Sequence, residues 1–492
     1  MSSRSALLLK NSTVPVVIPL SENGDALYRQ VYSGLRSAIL VGSFGAGAKL
    51  PSTRCLAEQL GVSRTVVLLA YELLLAEGFA EGQAGSGTYV PGDLQSTHRR
   101  HLANPAKLRI SHYGAMAVDI AATLELPQPI PVTPSYDFAY CSDNKTGFPF
   151  ELWRRILLRH ARHMPIQALD HSAAAGIPEL RQAIAVHLRR ARAVICDPSQ
   201  IIIVNGSQQA LDLVARVFIE SGNTVAIEDP QYQGTSEVLR AAGATLQPIP
   251  IDKDGLNPEH IARNARVAFV SPSHQFPTGV ILPLARRLAL LEWARNNDAI
   301  IVEDDLDGEF RYEGQPLESL QGLDTEGRVI YIGSFSRTVF SSLRIGYLVV
   351  PPSLIDAFTA AKWLCDRHTA TLEQQTLAEF ISSGMYERHL RRLRRNNAKR
   401  RGALLNAIDQ HLSADVEVTG DGAGAHVVLW PKQRLLEKTI IHRAAAAGVG
   451  VYGISRYFIG RPRRPGVLLG YSQMNIAEIQ EGIRRLRGVF EP

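Results

Sequence analysis

The first ninety residues carry their hydrophobic positions at helical spacing. Between 25 and 42, Leu27, Val31, Leu35, Ala38 and Ile39 form one apolar stripe, which predicts an amphipathic helix stopped by Gly42, Gly45 and Gly47. The next stretch, KLPSTRCLAEQLGVSRTVVLLAYELLLAEGF, predicts two helices joined by the turn LGVS. Ser52 or Thr53 can cap the first, which runs to Gln59 or Leu60 and ends at Gly61. Ser63 can cap the second, which runs to about Glu77 and ends at Gly78. FAEGQAGSGTYV then offers two short strand-like ends around a Gly-rich tip, the pattern of a β-hairpin wing.

From 91 to 134 the periodicity lapses. GDLQSTHRRHLANPAKLRISHYG is polar and basic, and ELPQPIPVTP is Pro-rich, so an extended linker is expected. Beyond it, apolar runs alternate with helical stretches: IIIVNG (201–206), TVAIEDP (224–230), VAFVSPSHQFPTG (267–279), AIIVEDD (299–305) and RVIYIGS (328–334). Continuous Val/Ile-rich strands between helices predict a mainly parallel sheet covered on both faces. Three segments follow: a helix-turn-helix head at 20–90, a linker at 91–134 and an α/β domain at 135–492.

Composition narrows the class without changing this division. At 492 residues, 45% hydrophobic and 20% charged, the chain is expected to be a soluble protein of two or three domains. No apolar run approaches the roughly 18 residues of a membrane helix, and the leucine run near the N-terminus falls short of a signal peptide's apolar core. Cys55, Cys141, Cys196 and Cys365 contain no C-x-x-C pair, so neither a disulfide framework nor a metal site is expected, and the cytoplasm is the simplest location. The net charge of +6 is a small excess for this length, so its placement matters more than its sum.

Two helices at such a turn form a helix-turn-helix, whose second helix enters the major groove. Ser63, Arg64 and Thr65 would then lie nearest base edges and phosphates. Lys49 and Arg54 could grip the backbone, and the tip Gly85-Ser86-Gly87 could approach the duplex closely. A plain packing corner with solvated arginines is the alternative. The stretch from Leu27 to Val90 resembles the winged helix of GntR-type regulators, in order and with few gaps, which implies double-stranded DNA as a partner. Leu68 and Leu69 depart from expectation by making the recognition helix apolar nearly all round.

In the α/β domain, polar residues gather where parallel strands end, the place such sheets bind ligands. Gly206, Ser207 and Gln208 form a strand-to-helix turn suited to a phosphate. Tyr232 offers a flat ring, His274, Gln275 and Phe276 a turn, and Asp304 a carboxylate for a protonated ring nitrogen. Ser334, Ser336 and Arg344 are further anion ligands. In this order they resemble the fold-type I, pyridoxal-phosphate-dependent aminotransferases over roughly 135–490. With the winged helix, the whole chain resembles a MocR-type regulator of the GntR superfamily. That resemblance implies a head-to-tail homodimer sensing a small-molecule effector, and places Arg456 where a ligand carboxylate is bound.

The chain leaves the family pattern at two positions. Family members read S-F-S-K-T, the lysine forming a Schiff base with the cofactor. Here the turn reads Ser334-Phe335-Ser336-Arg337-Thr338, and a guanidinium does not lose its proton to attack a carbonyl. Leu306 stands where the family has a tyrosine that contacts the cofactor ring. No catalytic residue is therefore expected, with Lys145 and Lys362 the only stand-ins considered. Pyridoxal phosphate is expected to bind non-covalently at most, alone or as an amino-acid adduct. Another anion, or an empty pocket in which Arg337 pairs with Asp304, are the alternatives. The leading function is a DNA-binding transcription regulator that senses a ligand without turnover. The others are an aminotransferase with a DNA-binding head, and a constitutive scaffold whose second domain only dimerises. The basic run ERHLRRLRRNNAKRR (387–401) is expected to be a solvated helix face or an accessory DNA contact.

Overall fold

Capping residues decide where the first three helices begin and end. In the computed structural model, α1 spans Leu27–Leu40, α2 spans Thr53–Leu60 and α3 spans Arg64–Ala76. The Ser52 hydroxyl accepts from the Cys55 N–H, and that of Ser63 accepts from the Val66 N–H. Gly61 closes α2 in the left-handed region at φ 63°, where a Cβ would be strained. The wing follows as β1 (Glu81–Gln83) paired antiparallel with β2 (Gly87–Tyr89). Val31, Leu35, Leu56, Val67, Ala70, Tyr71 and Leu74 fill a core closed under the helices.

The described residues are 18–21, 24–93, 109–123, 134–140, 147–163, 172–312 and 317–491. They divide into two compact units at Arg109 and Ile110. The expected linker does not survive intact, because α4 (His112–Thr123) is a helix of the second unit that packs on a later helix there. Arg99, Arg100 and Lys107, linker cations expected to be solvated or to brush DNA phosphates, and the Pro-rich run apart from Pro134, lie outside the described residues.

The second unit continues with β3 (Tyr136–Asp137), α5 (Phe150–Arg162), α6 (Pro178–Arg192), β4 (Ile201–Val204), α7 (Ser207–Phe218), β5 (Thr224–Asp229), α8 (Gln233–Ala241) and β6 (Thr245–Pro250). Next come β7 (Ala265–Val270), α9 (Leu284–Asn296), β8 (Ile300–Asp304), α10 (Leu320–Leu323), β9 (Val329–Ser334), β10 (Gly346–Val349), α11 (Ile355–Asp366), α12 (Thr371–Ser382) and α13 (Met385–Leu412). The chain ends with β11 (Val416–Thr419), β12 (His426–Pro431), α14 (Glu437–Ala446), β13 (Val449–Gly450), β14 (Tyr452–Gly453), β15 (Val467–Gly470) and α15 (Ile476–Arg485).

Seven strands form the main sheet in the order β4-β10-β9-β8-β7-β5-β6. All neighbours run parallel except β10, which is antiparallel to both β4 and β9. Residues of β4, β5, β7, β8 and β9 are mostly buried, the exceptions lying near strand ends, which is why these strands read as apolar runs. A separate antiparallel sheet, β11-β12-β15-β14, packs beneath α13, α14 and α15. The main sheet therefore brings the ends of β4, β8 and β9 to one side, with the return of β10 between β4 and β9.

Candidate functional site

The turn after β4 and the turn after β9 meet because β10 lies between their strands. Gly206 caps α7 at φ 80°, and a Cβ there would lie 2.8 Å from Nη2 of Arg344. Arg344, itself left-handed at φ 53°, donates from Nη2 to the Asn205 carbonyl at 3.2 Å. The Ser334 hydroxyl donates to Ser336 Oγ at 3.1 Å and accepts from the Ser336 N–H at 3.2 Å. Glycine at 206 is thus favoured by its φ, and its missing side chain leaves room for the guanidinium against it. A helix N-terminus with a cation against it lies on one side of β10, and two hydroxyls at the end of β9 on the other, donors of the kind that suit a phosphate.

Asp304 ends β8 on the same side of the sheet. Its Oδ1 is closed to solvent and has no hydrogen-bond partner among the described residues. Burial first, then the neighbouring Asp305 and Asp307, push its carboxyl up to about 7. Asp305, by contrast, is satisfied by Arg192 Nε at 2.6 Å and the Tyr331 hydroxyl at 2.5 Å. An orphaned buried carboxylate oxygen is expensive unless a donor arrives, and a protonated ring nitrogen is such a donor. The residues present therefore fit the phosphate and ring nitrogen of pyridoxal phosphate.

Arg337 does not pair with Asp304. Its Nε lies 3.9 Å from Asp307 Oδ1, and its guanidinium sits 3.9 Å from the centroid of the Tyr140 ring. Burial alone would raise the Asp307 carboxyl, but Arg337, then His274 and His426, hold it below the ordinary range. The Tyr140 hydroxyl donates to Asp307 Oδ2 at 3.1 Å. Topology explains the choice of partner: Asp304 lies within β8, in register with Ile332, whereas Asp307 lies in the loop beyond that strand.

Behind this pair, the ligand atoms of His274, Asp307 and His426 lie within 4.8 Å of one another. His426 Nε2 is 2.8 Å from the Pro277 carbonyl, its Nδ1 has no hydrogen-bond partner among the described residues, and His274 Nδ1 lies 3.9 Å from Asp307 Oδ2. Burial, reinforced by His274, pushes the His426 imidazole down to about 3. Cysteine spacing gave no sign of this imidazole–carboxylate group. Tyr140 was also unannounced, since nothing local marks a ring that meets a turn so far along the chain.

Gln208, Tyr232 and Arg456 line a cavity of about 560 Å³ with Tyr113, Ala117 and Ile120 of α4. Gln208 Nε2 also reaches the Gly234 carbonyl at 3.4 Å. Lys362 is fully buried, and its Nζ donates to Gln209, Asp366 and Thr369 at 2.8, 2.7 and 3.1 Å. It is a structural cation tied to three acceptors. Lys145 lies outside the described residues.

In the first unit, Ser63, Arg64 and Thr65 are exposed at the start of α3, and Arg64 Nε donates to Thr53 Oγ1 at 3.4 Å. The Tyr71 hydroxyl donates to the Pro51 carbonyl at 2.6 Å, fixing α3 against the entry to α2. Arg54 is exposed beside Glu58 at 3.6 Å. Lys49 lies 5.6 Å from the Tyr89 ring centroid and covers Gly87, where a Cβ would meet Lys49 Cε at 2.9 Å. Ser86 Oγ is 2.6 Å from the Tyr89 hydroxyl, and Gly85 takes φ 76° at the tip. The eight residues expected to meet DNA therefore share one small unit.

Residues 27–90 match the family of bacterial regulatory proteins described as gntR, and residues 155–459 match aminotransferase class I and II. The whole length is shared with regulators that join these two parts: the chain is 39% identical over 480 residues to the probable rhizopine catabolism regulatory protein MocR of Rhizobium meliloti, covering 96% of each. The chain belongs to the MocR-type transcription regulators. It is also 29% identical to the pyridoxine biosynthesis regulator PdxR of Corynebacterium glutamicum, over 92% of this chain and 95% of that one. Among solved structures, the kynurenine aminotransferase of Pyrococcus horikoshii matches at a TM-score of 0.68 and 28% identity, covering 81% of this chain and 98% of that one. Its DNA-reading head and aminotransferase fold are thus those of a MocR-type regulator. Among the described residues, no helix is long and apolar enough to cross a membrane.

Proposed function

We propose that this MocR-type regulator binds pyridoxal phosphate, or its adduct with an amino acid, non-covalently, and that this occupancy controls operator binding without turnover. The observation that carries the reading is the contrast at the strand ends. The Arg344–Gly206 cup and the orphaned Asp304 oxygen fit the cofactor's phosphate and ring nitrogen, while the lysine position holds Arg337, committed to Asp307 and Tyr140. When bound, pyridoxal phosphate supplies a carbonyl and an electron-withdrawing ring. Here Ser207, Gln208, Ser334, Ser336 and Arg344 hold its phosphate, Asp304 holds its ring proton, Tyr232 bounds the adjoining space and Arg456 takes a ligand carboxylate. A guanidinium stays protonated, so Arg337 contributes charge and no nucleophile. The fold is one whose solved relatives are pyridoxal-phosphate aminotransferases, which supports the ligand class.

Titration of the purified chain with pyridoxal phosphate, followed by absorbance and calorimetry, tests this. Saturable heat is expected, with complete release of the ligand on denaturation after borohydride treatment. A ligand retained covalently refutes the non-covalent reading; no heat and no spectral change refute cofactor sensing. A head-to-tail homodimer with an operator of matching two-fold symmetry completes the proposal, checked by sedimentation with and without DNA.

A further inference from the structure

The recognition helix presents an apolar surface where polar side chains are the usual readers of DNA. Within α3, Val67, Ala70, Tyr71 and Leu74 are buried in the unit's core. At about 100° per residue, these four occupy one arc of the helix, and Arg64, Thr65, Leu68, Leu69, Glu72 and Leu75 fall on the opposite arc. All six are exposed, Leu68 at 40% and Leu69 at 42%. In angle, Leu68 lies between Arg64 and Thr65, one turn further along. At about 1.5 Å per residue that places it about 6 Å beyond Arg64, or about two base-pair steps.

We propose that Leu68 and Leu69 read thymine in the major groove through its C5-methyl group. The start of α3 is the part of a helix-turn-helix that enters the groove, and Arg64 and Arg54 line one hollow there with the charge that phosphates require, while Lys49 lies on the wing. An isobutyl group offers neither donor nor acceptor. Of the features that base pairs expose in the major groove, the thymine methyl is the one it can match. Opposite a G·C pair, the same leucines would shield the guanine acceptors and the cytosine amino group from water without replacing their hydrogen bonds. The apolar face thus selects for thymine by contact and against G·C by desolvation. Specificity at these positions belongs to two aliphatic side chains, while Arg64 and the wing supply register and affinity.

The test starts from an operator enriched from random duplex DNA by the full-length chain. Each thymidine is then replaced in turn by deoxyuridine, which keeps the base pair and removes only the methyl. A loss of about fourfold per contacted methyl is expected, the effect of burying one methyl-sized group. The variant Leu68→Ala/Leu69→Ala is expected to melt like the wild type, because both side chains are exposed, and to bind thymine and uracil operators equally. Affinity that stays within about twofold for every uracil substitution overturns the inference, as does a variant that keeps the wild-type preference for thymine. A chain that enriches no sequence at all overturns sequence reading by this head, and the inference with it.

Discussion

Replacing Asp304 by asparagine should weaken the ligand complex and strengthen the ligand-free protein. Its carboxyl is raised from 3.8 to about 7, mainly by burial. Each tenfold in that protonation equilibrium is worth about 1.4 kcal/mol, so ionising Asp304 in the ligand-free pocket costs at most about 4 kcal/mol above pH 8. Asparagine fills the same volume and never ionises, so that cost disappears. With ligand bound the sign reverses, because a charge-assisted hydrogen bond to the ring nitrogen is worth about 1.5–3 kcal/mol and asparagine forfeits it. Asp304→Asn should therefore melt above the wild type at pH 8.5, the difference shrinking as pH falls and closing only below about pH 4. Calorimetric titration should show pyridoxal phosphate bound about 10- to 150-fold more weakly, with inorganic phosphate affinity unchanged. A variant that binds pyridoxal phosphate as tightly as the wild type, and melts no higher at alkaline pH, would refute the assignment of Asp304 to the ring nitrogen.

Three further outcomes follow from the same geometry. Arg337→Lys should retain pyridoxal phosphate covalently through borohydride treatment and denaturation, read by intact mass, provided the rest of the pocket is preserved. Arg64→Ala should abolish operator binding without lowering the melting temperature; in the wild type, log affinity should fall with log salt at about −0.9 per phosphate contacted. Burial is the first cause of the raised carboxyls of Glu228, at about 8, and of Glu303 and Glu309, at about 7. Groups raised on folding stabilise the native state at low pH and lose that contribution as pH rises through their folded values. The ligand-free melting temperature should accordingly fall between about pH 4.5 and 8.

How much could be read from the chain depended on how local each determinant is. Ser52, Gly61 and Ser63 bracket α2 and α3 through bonds spanning three or four residues, so these boundaries were legible to within a residue or two. The buried parallel strands were legible from their unbroken apolar runs. β6 was not, because Pro248 and Pro250 mark an interruption, and only its place at the sheet edge permits them. The basic run on α13 looked like a solvated face. In the fold, Arg394 donates to the Glu309 carbonyl at 2.5 Å and Arg400 to the Met474 carbonyl at 2.8 Å, while Arg392 and Arg401 bond the carbonyls of Gly147 and Asp421. Several of those charges are ties between distant loops. Arg337 in its Ser-rich turn was visible in the sequence, but its partners were not. Asp307 and Tyr140 reach it through strand order and loop length, which no local pattern encodes.

The Arg337 guanidinium stacked on Tyr140 bears on how such a regulator keeps time. A ligand held only by hydrogen bonds and charge leaves at a rate set by those contacts alone, with no bond to hydrolyse first. Occupancy then follows the free ligand concentration in both directions, and the protein carries no memory of an earlier exposure. A lysine at the same place would make the signal slower to reset. A permanent cation in place of a nucleophile at this turn would therefore suit the proposed pocket to a fast, reversible gauge.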